Sequence, residues 1–137
     1  GGGVICDFVE AEKQRFYPAA VGPYSAIVNQ EENYVWAEDC YGKTIEDGES
    51  GDEGEVIQAG VDYVAGKGGG EVRIREGEYS ISSTVVLKSF IKVAMTPNTV
   101  ILPAKSGMTL FQGEYDSMQI ILEGGWIVRR QHIRENQ

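Results

Sequence analysis

At 137 residues the chain has room for one core and little for a second. With 42% hydrophobic and 24% charged residues it does not have the composition of a disordered chain. A net charge of −9 repels phosphate backbones and excludes nucleic acid as the expected partner, and no apolar run reaches the roughly 18 residues of a membrane span.

Residues 1–24 read as an N-terminal arm, with VEAEKQRF (9–16) as a short charged helix and Pro18 and Pro23 bracketing the loop behind it. The opening GGGVIC carries no signal-peptide pattern and reads as a processed or excised start. Cys6 and Cys40 allow two readings, a bridge tying the arm to the body or two separate thiols. They lack CxxC spacing, and His132 is the single histidine, so no zinc set and no cofactor is expected.

Residues 25–50 form a small hairpin region. Apolar runs at Ala26–Val28 and Tyr34–Ala37 flank a QEEN turn, and DCYGK (39–43) leads to a further run at Thr44–Glu46. The loop EDGESGDEG (46–54) follows. Asp47, Glu49 and Asp52 are weak calcium candidates there, since dense carboxylates on a loop suit that ion. The calcium-loop register is absent, and a helix N-terminus attracting negative charge explains the same residues.

Residues 51–137 begin with a helix expected over about 53–65. Ser50 and Glu53 stand at S-x-x-E spacing, the pattern of a capping box. Val56, Ile57, Gly60, Val61 and Val64 share one face, with Glu55, Gln58 and Asp62 on the other. The Gly68–Gly70 run, with Gly69 at its centre, ends the helix. GKGGG is not a phosphate loop, because the order here is helix, glycines, strand rather than strand, glycines, helix.

From Val72 onward short strands replace helix. They are expected at Glu71–Arg75, Tyr79–Ser82, Thr84–Lys88, Ile91–Ala94, Thr99–Leu102, Met108–Phe111, Met118–Leu122 and Trp126–Val128. Related apolar pairs recur at Val72/Ile74, Val100/Leu102 and Ile120/Leu122, a loose period that suggests a solenoid.

The segment DEGEVIQAGVDYVAGKGGGEVRIREGEYSISSTVVLKS (52–89) resembles the N-terminal part of the pectate lyase superfamily. Ile57-Gln58-Ala59-Gly60-Val61-Asp62 matches the family's helix, Gly68-Gly69-Gly70 its turn, and Gly77-Glu78-Tyr79 its tight turn. Ser82-Ser83-Thr84 matches the start of the next strand. Gly54 and the Arg75-Glu76 pair depart from the family pattern. The resemblance implies an all-β fold: a short right-handed parallel β-helix with an N-terminal capping α-helix and a preceding small β-hairpin. Ser50, Glu53, Val56, Ile57, Val61, Val64, Gly69, Gly77 and Tyr79 would be its structural residues.

Catalysis in that family uses Asp clusters on middle coils. Here the region after Gly70 contains just one Asp, Asp116; its neighbour Glu114 and the later Glu123 could act as a carboxylate pair, and Arg129, Arg130, His132 and Arg134 form the basic cluster. No catalytic residue is assigned. Tyr115 and Trp126, beside polar turns, are the candidates for glycan contact. The expected function is a non-enzymatic structural or recognition module of the surface or virion-spike type, extracellular or on a virion. It would be a homo-oligomer, with a trimer favoured because the C-terminal end of the coils reads as uncapped, and a polysaccharide is the expected ligand. The alternative is the N-terminal fragment of a polysaccharide lyase or glycoside hydrolase whose catalytic coils lie elsewhere.

Overall fold

The structure, a computed structural model, describes residues 25–117 and 119–127. The expected arm with Cys6, the basic cluster Arg129, Arg130, His132 and Arg134, and the strand-end residues Met118 and Val128 lie outside the described residues. The order is β1 (Ala26–Glu31), β2 (Tyr34–Asp39), β3 (Thr44–Glu49), α1 (Glu53–Gly66), β4 (Gly70–Ile74), β5 (Gly77–Ile81) and β6 (Val85–Leu87). Then come β7 (Ile91–Met95), β8 (Thr99–Pro103), β9 (Phe111–Gly113), β10 (Ile121–Glu123) and β11 (Trp126–Ile127).

The strands form a six-stranded sheet ordered β10-β7-β4-β1-β2-β3, a three-stranded sheet β11-β8-β5 and the pair β6-β9. Among the described residues this is a mixed α/β arrangement of one helix and several small sheets rather than a solenoid, which corrects the expected all-β class and parallel β-helix. Two features account for the difference. Half of the largest sheet is the antiparallel meander β1-β2-β3, against which α1 packs as a full layer. The spacing between parallel partners also changes along the chain, from Val72↔Val93 to Val93↔Leu122, so no fixed period is kept.

The helix forms where its apolar stripe can be buried. Val56, Ile57, Val61 and Val64 are at most 1% exposed, and they pack with Ala26, Val28, Val35, Val72, Ile74, Tyr79 and Ile81 in one core. Burying those four side chains stabilises by roughly 6–10 kcal/mol in gross transfer terms, before entropy. Gly60 faces β1 and β2 from the buried side of the helix, with Val28, Ala26 and Ala37 as its nearest side chains.

The helix start differs from the expected capping box. Asp52 is the N-cap residue and makes no side-chain cap bond. Glu53 instead reaches back to accept from the Gly51 N–H at 2.7 Å, while Asp52 accepts from the Glu49 N–H at 2.9 Å. Ser50 sits two residues before the cap, with its hydroxyl 3.5 Å from the Asn33 side-chain oxygen. The turn, not a reciprocal pair, therefore organises this terminus.

After α1, Gly69 takes φ +117°, and any Cβ there would stand 2.7 Å from the Phe90 carbonyl oxygen. Only glycine fits that left-handed position against the next strand's entry. Tyr79 is fully buried, and its hydroxyl donates to the Arg75 carbonyl at 3.0 Å. Thr99, also fully buried, donates to the Ile74 carbonyl at 2.9 Å and accepts from the Thr96 N–H at 3.0 Å.

The parallel ladders begin and end differently. At the start, β4 pairs with β1. The edge of β5 meets the Gln30 side chain, which donates to the Glu78 carbonyl at 2.6 Å and accepts from the Glu78 N–H at 3.0 Å. Gln58 on α1 treats β6 the same way, donating to the Val86 carbonyl at 2.9 Å and accepting from its N–H at 2.7 Å. Each glutamine amide thus stands in for one residue of a missing strand. At the other end, β10 and β11 have no further strand among the described residues.

Candidate functional site

Side chains in parallel register lie on the same side of a sheet. The inward column Ala26, Val72, Val93, Leu122 is completely buried for its first three members, whereas Leu122 is 41% exposed. The column Tyr79, Ile101, Ile127 behaves alike, with the first two fully buried and Ile127 45% exposed. Core-type side chains therefore surface at the β10-β11 end, together with Ile121 and Trp126 on the outward side.

Trp126 is 64% exposed, and its indole N–H donates to the Pro97 carbonyl at 2.8 Å, which fixes the ring over the turn between β7 and β8. Tyr115, 93% exposed, stands on the turn after β9, whose Glu114 N–H donates to the Leu87 carbonyl at 2.8 Å. The carboxylate candidates do not converge. Glu123 pairs with Lys92 at 3.3 Å, and no hydrogen bond or ion pair joins it to Glu114 or Asp116, both exposed on the turn. Asp116 sits at φ +65° within that turn.

The acidic segment is a strand rather than the expected loop. Asp47 and Glu49 belong to β3, and Asp47 accepts from the Tyr34 hydroxyl at 2.8 Å. That bond holds the Tyr34 phenol above its usual range, with desolvation and the Asp47 charge acting in the same direction. Asp52 is engaged by the Glu49 N–H. Among the described residues no three carboxylate, imidazole or thiol groups could hold a metal ion, so the calcium candidates Asp47, Glu49 and Asp52 are not brought together. Cys40, in the turn ordered by Asp39 accepting from the Tyr41 and Lys43 N–H groups, is disulfide-bonded.

The outer face of the meander carries an aromatic group that composition and spacing did not single out. Tyr34 and Trp36 alternate outward on β2 and stack, with ring centroids 4.9 Å apart and planes at 21°. The Trp36 N–H donates to the Glu38 carboxylate at 2.7 Å, and Tyr34 is held by Asp47. Tyr34 also lines an open hollow of about 410 Å³ with Glu31, Glu32, Asn33 and Glu49. The readable signal was the Y-x-W alternation, which reads equally well as ordinary strand patterning.

No family model, curated protein or solved structure matches the chain. Among the described residues no helix is long and apolar enough to cross a membrane.

Proposed function

We propose that the chain is a non-catalytic structural and recognition module that works as a homo-oligomer joined through its β10-β11 end. The observation that carries this reading is the change within single columns, from fully buried Val93 and Ile101 to half-exposed Leu122 and Ile127. Exposed side chains of core character, beside strand edges that are unpaired among the described residues, favour association. A second copy is the occupant because the opposite edge of the same sheet discourages contact. There β3 presents Glu46, Asp47 and Glu49, and like charges meeting edge to edge repel. Association is thereby directed to the apolar end, and a trimer is the proposed stoichiometry.

An extracellular or virion-surface location fits the disulfide at Cys40, since such bonds persist in oxidising surroundings. Exposed Trp126, on β11 itself, would meet either a neighbouring copy or a glycan at the rim of the contact surface, and exposed Tyr115 on the turn after β9 is the second glycan candidate.

Light scattering across a size-exclusion peak tests the assembly. The account expects a mass near three times 15.0 kDa for the natural chain. Leu122→Asp with Ile127→Asp should give the monomer mass with an unchanged circular dichroism spectrum. A natural chain that stays monomeric at high concentration would overturn it.

A further inference from the structure

The turn between β10 and β11 sits on a single side chain. The inward column Val28, Ile74, Met95 runs across the largest sheet in register, and Gly124, which follows the Ala94↔Glu123 pair, takes the next place in it. Val28 and Ile74 are fully buried, each beside the side chain of its successor. Met95, 9% exposed, has only glycine above it.

Gly124 and Gly125 take left-handed backbone angles, φ +78° and +69°, and fold their main chain directly onto Met95. A Cβ on Gly124 would collide with the Met95 carbonyl oxygen. One on Gly125 would stand 2.7 Å from the Met95 Cβ and 3.0 Å from its sulfur. The turn therefore leaves no room for one more heavy atom between itself and this side chain. Little else holds this end. β10 has three residues and β11 two, and their side-chain bonds among the described residues are the exposed Lys92–Glu123 pair and the Trp126 donation to the Pro97 carbonyl.

We propose that oxidation of Met95 to its sulfoxide is a switch that releases the β10-β11 end and stops the chain from assembling. A hydroperoxide is the oxidant. The sulfur lone pair attacks one peroxide oxygen, and an S–O bond forms as the O–O bond breaks. The proton of the transferred oxygen passes to the departing hydroxide to give water, and the sulfur loses the two electrons that the peroxide gains. Directed at the turn, the new oxygen meets the Gly124-Gly125 main chain, which must lift. Directed at the core, it is buried against Ile74 with no donor to receive, so lifting the turn is the less costly course. Leu122 and Ile127 then lose the positions from which they meet a second copy. Assembly in turn covers Met95 and slows its oxidation, since the two events are linked. The proposal rests on the reading of this end as the association surface.

The test uses the full chain carrying Met108→Leu and Met118→Leu, which keeps Met95 as the last of its three methionines. Hydrogen peroxide is added, and the gain of one oxygen on the Met95 peptide is followed by mass spectrometry. The oxidised chain should exchange amide hydrogens over Ile121–Ile127 about tenfold faster or more, and self-associate about tenfold more weakly or worse by light scattering, with exchange at Glu78 unchanged. Met95→Leu keeps the volume and should make the chain indifferent to peroxide. Oxidation at Met95 that alters neither exchange nor association would overturn the proposal, as would a Met95 that stays intact in peroxide sufficient to oxidise free N-acetylmethionine. The dispersed Leu122→Asp chain separates this result from the assembly. Faster exchange there on oxidation, with a natural chain that never associates, would sink the assembly and leave the Met95 contact standing as a local latch; unchanged exchange there would sink the latch alone.

Discussion

The two ends of the parallel ladders are built to opposite rules. At the beginning, every first strand has its edge occupied: β4 by β1, β5 by Gln30 and β6 by Gln58. At the end, β10 and β11 have no strand on their outer edges among the described residues, and they expose the last side chains of the core columns. Closing an edge with one glutamine costs little chain, because a side-chain amide presents an N–H donor and a carbonyl acceptor side by side, as a backbone residue does. The comparison teaches that the same column of apolar residues stabilises the fold at one end and is available for association at the other.

The largest expected contrast lies within one column. Val93→Asp places an unpaired charge at a fully buried site and should cost at least about 4 kcal/mol, enough to unfold a marginal domain. Leu122→Asp, one strand further along, should change the stability of the dispersed chain by less than about 0.5 kcal/mol. Urea unfolding of the two variants side by side measures the difference, and equal losses would break the comparison.

The glutamine closures come next. Gln58→Ala leaves the Val86 N–H and carbonyl without their partner on a half-buried strand and should cost about 2 kcal/mol. Gln30→Ala, at an exposed site, should cost about 1 kcal/mol because water replaces the amide. If neither variant moved the urea midpoint, the edges would need no closing.

Tyr79 ties the beginning of its ladder to pH. Burial pushes its phenol well above the ordinary tyrosine range, and Glu76 adds to the effect. The unfolded chain therefore ionises first, at about pH 10, and the folded chain retains the proton. The contribution of Tyr79 to stability should be constant below that pH and fall by about 1.4 kcal/mol per pH unit above it, until the folded phenol also ionises. Tyr79→Phe should cost about 1 kcal/mol at neutral pH, through the lost bond to Arg75, and should flatten most of the alkaline slope seen by thermal melting.

The smallest effect is a gain. A Cβ at Gly60 would meet Val28, Ala26 and Ala37 at 3.7–3.8 Å, which is ordinary contact. Gly60→Ala should thus raise stability by about 0.5–1 kcal/mol through helix propensity, read as a higher melting temperature.

The local elements were legible where one periodicity dominated. The α1 stripe, the Gly69 turn and alternating strands such as Ile91–Met95 follow from residue spacing alone. What spacing could not convey was the partner of each strand. The meander pairs locally and antiparallel while the later strands pair at a distance, and the shifting intervals between Val72, Val93 and Leu122 decide against a regular repeat. The carboxylates between residues 46 and 54 looked like one loop, yet Asp47 and Glu49 are strand residues whose neighbours are set by β2. Gln30 and Gln58 were unreadable as edge closures, because a glutamine on a polar face gives no sign of which backbone it meets. The Tyr34 wall was hidden for a similar reason, its significance lying in Asp47 and Glu49 brought across from β3.

Hydrogen exchange, followed peptide by peptide at two protein concentrations, tests the difference between the two ends most directly. The account predicts that protection over Ile121–Ile127 rises with concentration as copies cover β10 and β11, while the closed edges at Glu78 and Val86 exchange at the same slow rate throughout. Concentration-independent exchange over Ile121–Ile127, at rates matching those of Glu78 and Val86, would contradict it.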